Sequence, residues 1–104
     1  MLSTYSELLL YSDANPDKLI VLDFKASWCA PCKNIKPFYE YLKVNYPNVH
    51  FLEIDIEDDE TSSITDIFKI SKLPTFIYFK NSIICHSFIG TDNAHIETAI
   101  NDNI

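Results

Sequence analysis

The chain has no arginine, a single glycine and only three cysteines. Each shortage excludes something. Without a guanidinium there is no fork for bidentate phosphate recognition. The eight basic residues are all lysine, they form no basic stripe, and the formal net charge is −7, so neither nucleic acid nor an anionic membrane is an expected partner. Three cysteines is an odd number and too few for a disulfide scaffold, which points to a reducing compartment and to folding without a staple. No apolar run approaches the ~20 residues that span a bilayer, and the N-terminus lacks the basic region, apolar core and cleavage site of a signal peptide. The expectation is a soluble, cytoplasmic protein. No internal repeat, linker or low-complexity stretch divides it.

What is present suits one domain spanning residues 1–104. With 47% hydrophobic and 13% aromatic residues, the chain can bury a real core. Thr4 and Glu7 have capping-box spacing and predict a helix over 4–13, stopped before Pro16. "LIVLDFK" (19–25) is a near-continuous apolar run, the mark of a strand covered on both faces. Ile35, Phe38, Tyr39 and Leu42 recur at helical spacing until Pro47. "VHFLEIDI" (49–56) reads as a second buried strand, and "TSSITDIFKI" (61–70) as a helix with Ile64, Ile67 and Phe68 on one face. "TFIYFK" and "IICHSFIG" flank Asn81-Ser82, a tight hairpin in which Ser82 tolerates left-handed geometry less well than glycine would. A final helix turns Ile96, Ala99 and Ile100 inward. This order predicts an α/β fold: a mixed sheet of four to five strands with four helices on its two faces.

The chemistry lies in "FKASWCAPCKNIKPF" (24–38), where Cys29 and Cys32 sit three positions apart between a strand end and a helix start. Unpaired backbone N–H groups and the positive end of the helix dipole favour a thiolate there. Cys29, at the tip of the turn, is the expected nucleophile toward a substrate disulfide. Cys32, one helical turn inside, is placed to attack the resulting mixed disulfide and release the product. Pro31 stiffens the loop between them and removes a competing N–H. A structural zinc site lacks its second ligand pair, because His50, His86 and His95 are scattered and none neighbours the cysteines. Haem attachment fails at Lys33, where a histidine would follow Cys32. A calcium loop starting at Asp55 would put Glu60 where glycine is required and Asp66 where a bidentate glutamate belongs. No metal and no cofactor is expected.

In order and spacing over nearly the whole chain, the sequence resembles the thioredoxin family. The match rests on Asp23, Phe24 and Ala26 leading into Trp28-Cys29-Ala30-Pro31-Cys32-Lys33, then Pro37, Leu73-Pro74-Thr75, the "FKN" hairpin and Gly90. The resemblance implies a monomeric protein-disulfide reductase with a redox-active Cys29–Cys32 disulfide. It also implies protein disulfides as substrates and recycling by a flavin-dependent, NADPH-using thioredoxin reductase. By resemblance Asp23 is a buried carboxylate that exchanges a proton with Cys32, set against the plainer reading of a satisfied buried aspartate. Pro74 is then a cis-proline facing the cysteines, and Leu73 offers its backbone to a substrate strand. Trp28, Ala30, Pro31 and Gly90 complete an apolar rim, although Gly90 could also be only a strand-to-helix hinge. Pro37 is read as structural.

Several positions depart from the family's common pattern. Ala30 replaces a frequent glycine. Lys25 stands where an aromatic or small neutral residue is usual, and is either a charge near the cysteines or a solvated lysine. The edge strand that usually opens this fold is expected to be truncated or absent. Cys85 is expected to be a packed, inert thiol rather than a regulatory one. The competing functional reading is a thioredoxin-fold binding module of a larger assembly with minor redox activity; a glutaredoxin-like or isomerase-like activity fits the Ala-Pro pair between the cysteines less well.

Overall fold

The computed structural model describes residues 2–104. Its elements follow in the order α1 (Tyr5–Ala14), β1 (Ile20–Lys25), α2 (Ala30–Asn45), β2 (His50–Asp55), α3 (Ser62–Phe68), β3 (Thr75–Lys80), β4 (Ile83–Ile89) and α4 (Asn93–Asn103). Among the described residues the sheet has four strands in the order β2-β1-β3-β4. β2 runs parallel to β1, whereas β3 and β4 form the antiparallel hairpin. No strand ahead of α1 is present among the described residues, so β2 forms one border of the sheet.

Alternation along β1 explains the two layers. Leu19 and Val21 point to one face, where they pack with Ile35, Tyr39 and Leu42 of α2 and with Ile96 and Ile100 of α4. Ile20, Leu22 and Phe24 point to the other, against Leu8 of α1 and Ile64 of α3. Because both faces are covered, β1 is apolar at nearly every position. β2 departs from the expected buried strand: only Leu52 and Ile54 are buried, since a border strand has one covered flank fewer. In α3, Ile64 is buried but Ile67 is 49% exposed, correcting the expected inward face. The helix has only seven residues, preceded by a 3₁₀ turn at Asp59–Thr61, and one short face seats Ile64 and half of Phe68.

The scarcity of glycine is met by other residues. Lys69, Asn81 and Ser82 all take positive φ, at 53°, 52° and 63°. Asn81-Ser82 forms the tight turn between β3 and β4 with both residues left-handed, and α1 holds it: Ser82 N–H donates to Ser12 Oγ at 2.8 Å, and Ser82 Oγ donates to Asp13. The capping box at Thr4 and Glu7 is complete, with Thr4 Oγ1 accepting from Glu7 N–H and Glu7 accepting from Thr4 N–H. Cys85 is exposed rather than packed. The pairing jumps from Tyr78–His86 to Phe79–Ile84, so Cys85 is the extra residue of a bulge with no partner across the ladder.

Candidate active site

The turn between β1 and α2 is built by its backbone. Cys29 N–H donates to Ala26 O at 3.1 Å, and Lys33 N–H to Cys29 O at 3.3 Å. Cys29 is the N-cap of α2, with Pro31 in the first turn, where its missing N–H costs no helical bond. Cys29 Sγ accepts the N–H of Cys32 at 3.2 Å, which places the sulfur against the unpaired donors of the helix start, where negative charge is stabilised. The sulfurs of Cys29 and Cys32 are bonded to each other.

The two cysteines open onto different surroundings. Cys29 borders a shallow groove of about 650 Å³ together with Trp28, Ala30, Pro31, Leu73 and Ile89. Cys32 borders a second chamber of about 260 Å³, which shares no lining residue with the groove, with Asp23, Lys25, Lys36, Tyr39 and Glu53. Trp28 is 65% exposed, but Cys29 and Cys32 are 4% and 8% exposed, so in the disulfide form neither sulfur stands out at the tip of the turn. The contrast between them lies in the cavity each faces. The Leu73-Pro74 bond is cis. Leu73 lines the groove, whereas Pro74 is buried behind it and its carbonyl accepts Gly90 N–H at 3.1 Å. Gly90 has φ 134°, a conformation that side chains rarely adopt, and it turns the chain out of β4 while its N–H is held by Pro74. The groove wall on that side is Ile89. Pro37 lies inside α2 and supplies no N–H to it.

Asp23 and Lys25 share a face of β1, and parallel pairing sets Asp23 beside Glu53 and Lys25 beside Asp55. Asp23 is 5% exposed, and its Oδ1 has no partner among the described residues. Burial, and then the charge of Glu53, push its pKa up to about 7 against the opposing pull of Lys25 and Lys36. Lys25 Nζ lies 3.4 Å from Glu53 Oε2, and Lys36 Nζ 3.9 Å from Glu53 Oε1. Of the two readings of Lys25, the structure favours the charge near the cysteines: it lines the chamber with Cys32 and holds Glu53.

A carboxyl that titrates near neutrality, sharing a chamber with one cysteine of a disulfide whose other cysteine faces an open apolar groove, is an arrangement for thiol-disulfide exchange. Comparison with known proteins agrees. The thioredoxin family model matches residues 4–102. This chain belongs to the thioredoxin family. It is 41% identical to human (Homo sapiens) thioredoxin over 90 residues, covering 86% of this chain and 84% of the human protein. It is 38% identical to rabbit (Oryctolagus cuniculus) thioredoxin over 100 residues, 96% and 90% of the two chains. The crystal structure of Fasciola hepatica thioredoxin superposes with a TM-score of 0.88 at 30% identity, covering 99% of this chain and 97% of that one. As a thioredoxin-family member with an intact Cys-x-x-Cys pair, the protein is a thiol-disulfide oxidoreductase, a protein-disulfide reductase. Nothing in the site favours a binding module with minor redox activity.

Glu53, Lys36 and Tyr39 are site residues that sequence reasoning did not single out. Glu53 stands in an ordinary strand pattern, and only the β1–β2 register puts it opposite Asp23. Tyr39 carries the helical apolar spacing of a core residue, which it also is. His86 and His95, separated in sequence, meet with their Nε2 atoms 2.9 Å apart on the β4–α4 surface, outside both cavities of the cysteine pair.

Proposed function

We propose that this thioredoxin-family protein acts as a monomeric cytoplasmic reductase of protein disulfides, with Cys29 as nucleophile, Cys32 as resolving thiol and Asp23 as proton acceptor, and that a flavin-dependent, NADPH-using thioredoxin reductase recharges it. The observation that carries the division of labour is the split environment: Cys29 Sγ accepts the Cys32 N–H and borders the groove, while Cys32 borders the chamber with Asp23.

In the reduced enzyme the Cys29 thiolate attacks one sulfur of a substrate disulfide, forming the mixed disulfide and expelling the other substrate sulfur as thiolate. The carboxylate of Asp23 then takes the proton of the Cys32 thiol. Cys32 attacks Cys29 Sγ, the mixed disulfide breaks, and the second substrate sulfur leaves. Both electrons have gone to the substrate, and the enzyme holds the Cys29–Cys32 disulfide. A raised pKa suits Asp23 for this step, because a carboxylate with its pKa near the working pH is a stronger base toward a thiol than an ordinary one. On the groove side, Trp28, Pro31, Leu73 and Ile89 offer apolar surface to an extended segment around the substrate cysteine.

The test is NADPH oxidation with a thioredoxin reductase and a protein disulfide substrate. Turnover that requires both enzymes supports the proposal. Turnover supported by dithiothreitol but by no thioredoxin reductase would assign recycling to another class of reductase. No turnover with either would sink the mechanism.

A further inference from the structure

Tyr39 has a hydroxyl that its packing does not explain. The side chain is 1% exposed in the α2 layer of the core, its ring edge-on to Phe51 at 5.6 Å with the Lys43 ammonium 5.5 Å from its centroid. Those contacts use the ring alone, and a phenylalanine would make them equally well. The hydroxyl has no hydrogen-bond partner among the described residues, and buried polar groups without partners are rare because each forfeits its hydration. Asp23 Oδ1 is likewise unpaired and buried, and both residues line the same chamber between the sheet and α2. At about 260 Å³ that chamber has room for ordered water, and two unpaired polar side chains that line it together with Cys32 are the surroundings that hold one.

We propose that Tyr39 is a positioning residue of the dithiol chemistry: its hydroxyl and Asp23 Oδ1 hold a water between them in the chamber, and this bridge orients the Asp23 carboxylate toward Cys32 and steadies its ionised form. Resting on the reading of Asp23 as proton acceptor, this adds a residue to it. Burial and the Asp23 charge raise the Tyr39 phenol well above its ordinary pKa, so it stays protonated and acts as a donor throughout the working range. A donor bridged to a carboxylate favours the charged form. Of the other titratable groups around the chamber, Glu53, Lys25 and Lys36 act on Asp23 and set the baseline. Glu53 does so from β2, Lys25 from β1 and Lys36 from α2; Asp55 of β2 and Lys33 of α2 also line the chamber, and the neutral Tyr78 phenol of β3 lies within the field of Asp23.

The experiment measures resolution of a preformed mixed disulfide at Cys29 against pH, together with the infrared carboxyl band of Asp23, identified by its disappearance in Asp23→Asn. In Tyr39→Phe the acid limb of the resolution profile and the midpoint of the band should both move up by about half a pH unit, with rates near pH 6.5 falling about threefold and converging with wild type above pH 9. A merely structural hydroxyl would alter the melting temperature and leave both midpoints in place. Superimposable profiles and band titrations in Tyr39→Phe overturn the proposal. If the acid limb survives in Asp23→Asn, the base is another group and the reading of Asp23 falls. The band in Tyr39→Phe then still decides: a moved midpoint supports the Tyr39 contact, and an unmoved one overturns it.

Discussion

The two sides of the cysteine pair are built from opposite materials. On the Cys29 side, Trp28, Pro31, Leu73 and Ile89 make an open apolar surface. On the Cys32 side, Asp23, Lys25, Lys36 and Glu53 crowd a small chamber under α2. The apolar side suits a partner that arrives and leaves, because burying exposed apolar area favours docking without fixing one geometry. The charged side suits a proton that moves a short way, because burial brings the carboxyl pKa near the working pH and fixed neighbours hold it there. One turn of helix separates the apolar surface from the charged chamber, and the disulfide joins them.

The sharpest way to break this comparison is at the sulfurs. Cys32→Ser should still attack substrates and stall as a covalent adduct, whereas Cys29→Ser should trap almost nothing, and neither should sustain turnover. Non-reducing electrophoresis with mass spectrometry of the adducts reads this, and adducts formed equally by both variants would erase the distinction between the two sides. Next in size is Asp23→Asn, which should slow resolution near neutral pH by roughly a hundredfold while leaving the first attack by Cys29 much less affected. Stopped-flow formation and decay of the mixed disulfide separates the two steps.

The same carboxyl makes a stability prediction with a definite sign. Its folded pKa of about 7 lies above the ordinary 3.8, so between those values the native state holds the proton more tightly than the unfolded chain. Stability from this group is full at acid pH, declines as pH rises through that window, and levels off above it, by on the order of a few kcal/mol. Asp23→Asn should flatten the decline in guanidinium unfolding at pH 5 and pH 8, and be the more stable protein at the higher pH. An unchanged slope would mean that the carboxyl is ionised at little cost.

Smaller effects sharpen the contrast. Trp28→Ala should lower kcat/KM for protein disulfides about tenfold, chiefly through KM, and leave the acid limb of resolution in place, since aromatic anchors act by docking. Glu53→Gln should do the reverse: substrate KM stays, while the acid limb moves down by about half a pH unit, because the neighbouring charge that raises the Asp23 pKa is gone. A Trp28 variant that moved the limb, or a Glu53 variant that moved KM, would show that the two sides are not independent. Smallest of all, Cys85→Ser should change turnover negligibly and stability by less than about 0.5 kcal/mol, because the thiol sits exposed in a β-bulge.

Much of this protein is decided locally. The capping box at Thr4 and Glu7, the two-sided apolar run of β1, the left-handed Asn81-Ser82 turn and a helix starting at the cysteines all follow from short-range sterics and hydrogen bonding, and all could be read from the residues. So could the cysteine chemistry, since a strand end, a Cys-x-x-Cys and a helix start are consecutive in sequence. What the sequence left open depends on neighbours brought from far along the chain. The exposure of Cys85 hangs on a one-residue jump in the β3–β4 register, and that of Ile67 on how short α3 is. Glu53 joins the site only because β2 pairs in parallel with β1 at the Asp23 position, and Tyr39 because α2 lies over that face. The amino-acid order alone determined which residues react; the strand register and the helix laid across it decided which charges and which hydroxyl surround them, because electrostatic and hydrogen-bonding effects act over a few ångströms of space whatever the separation in sequence.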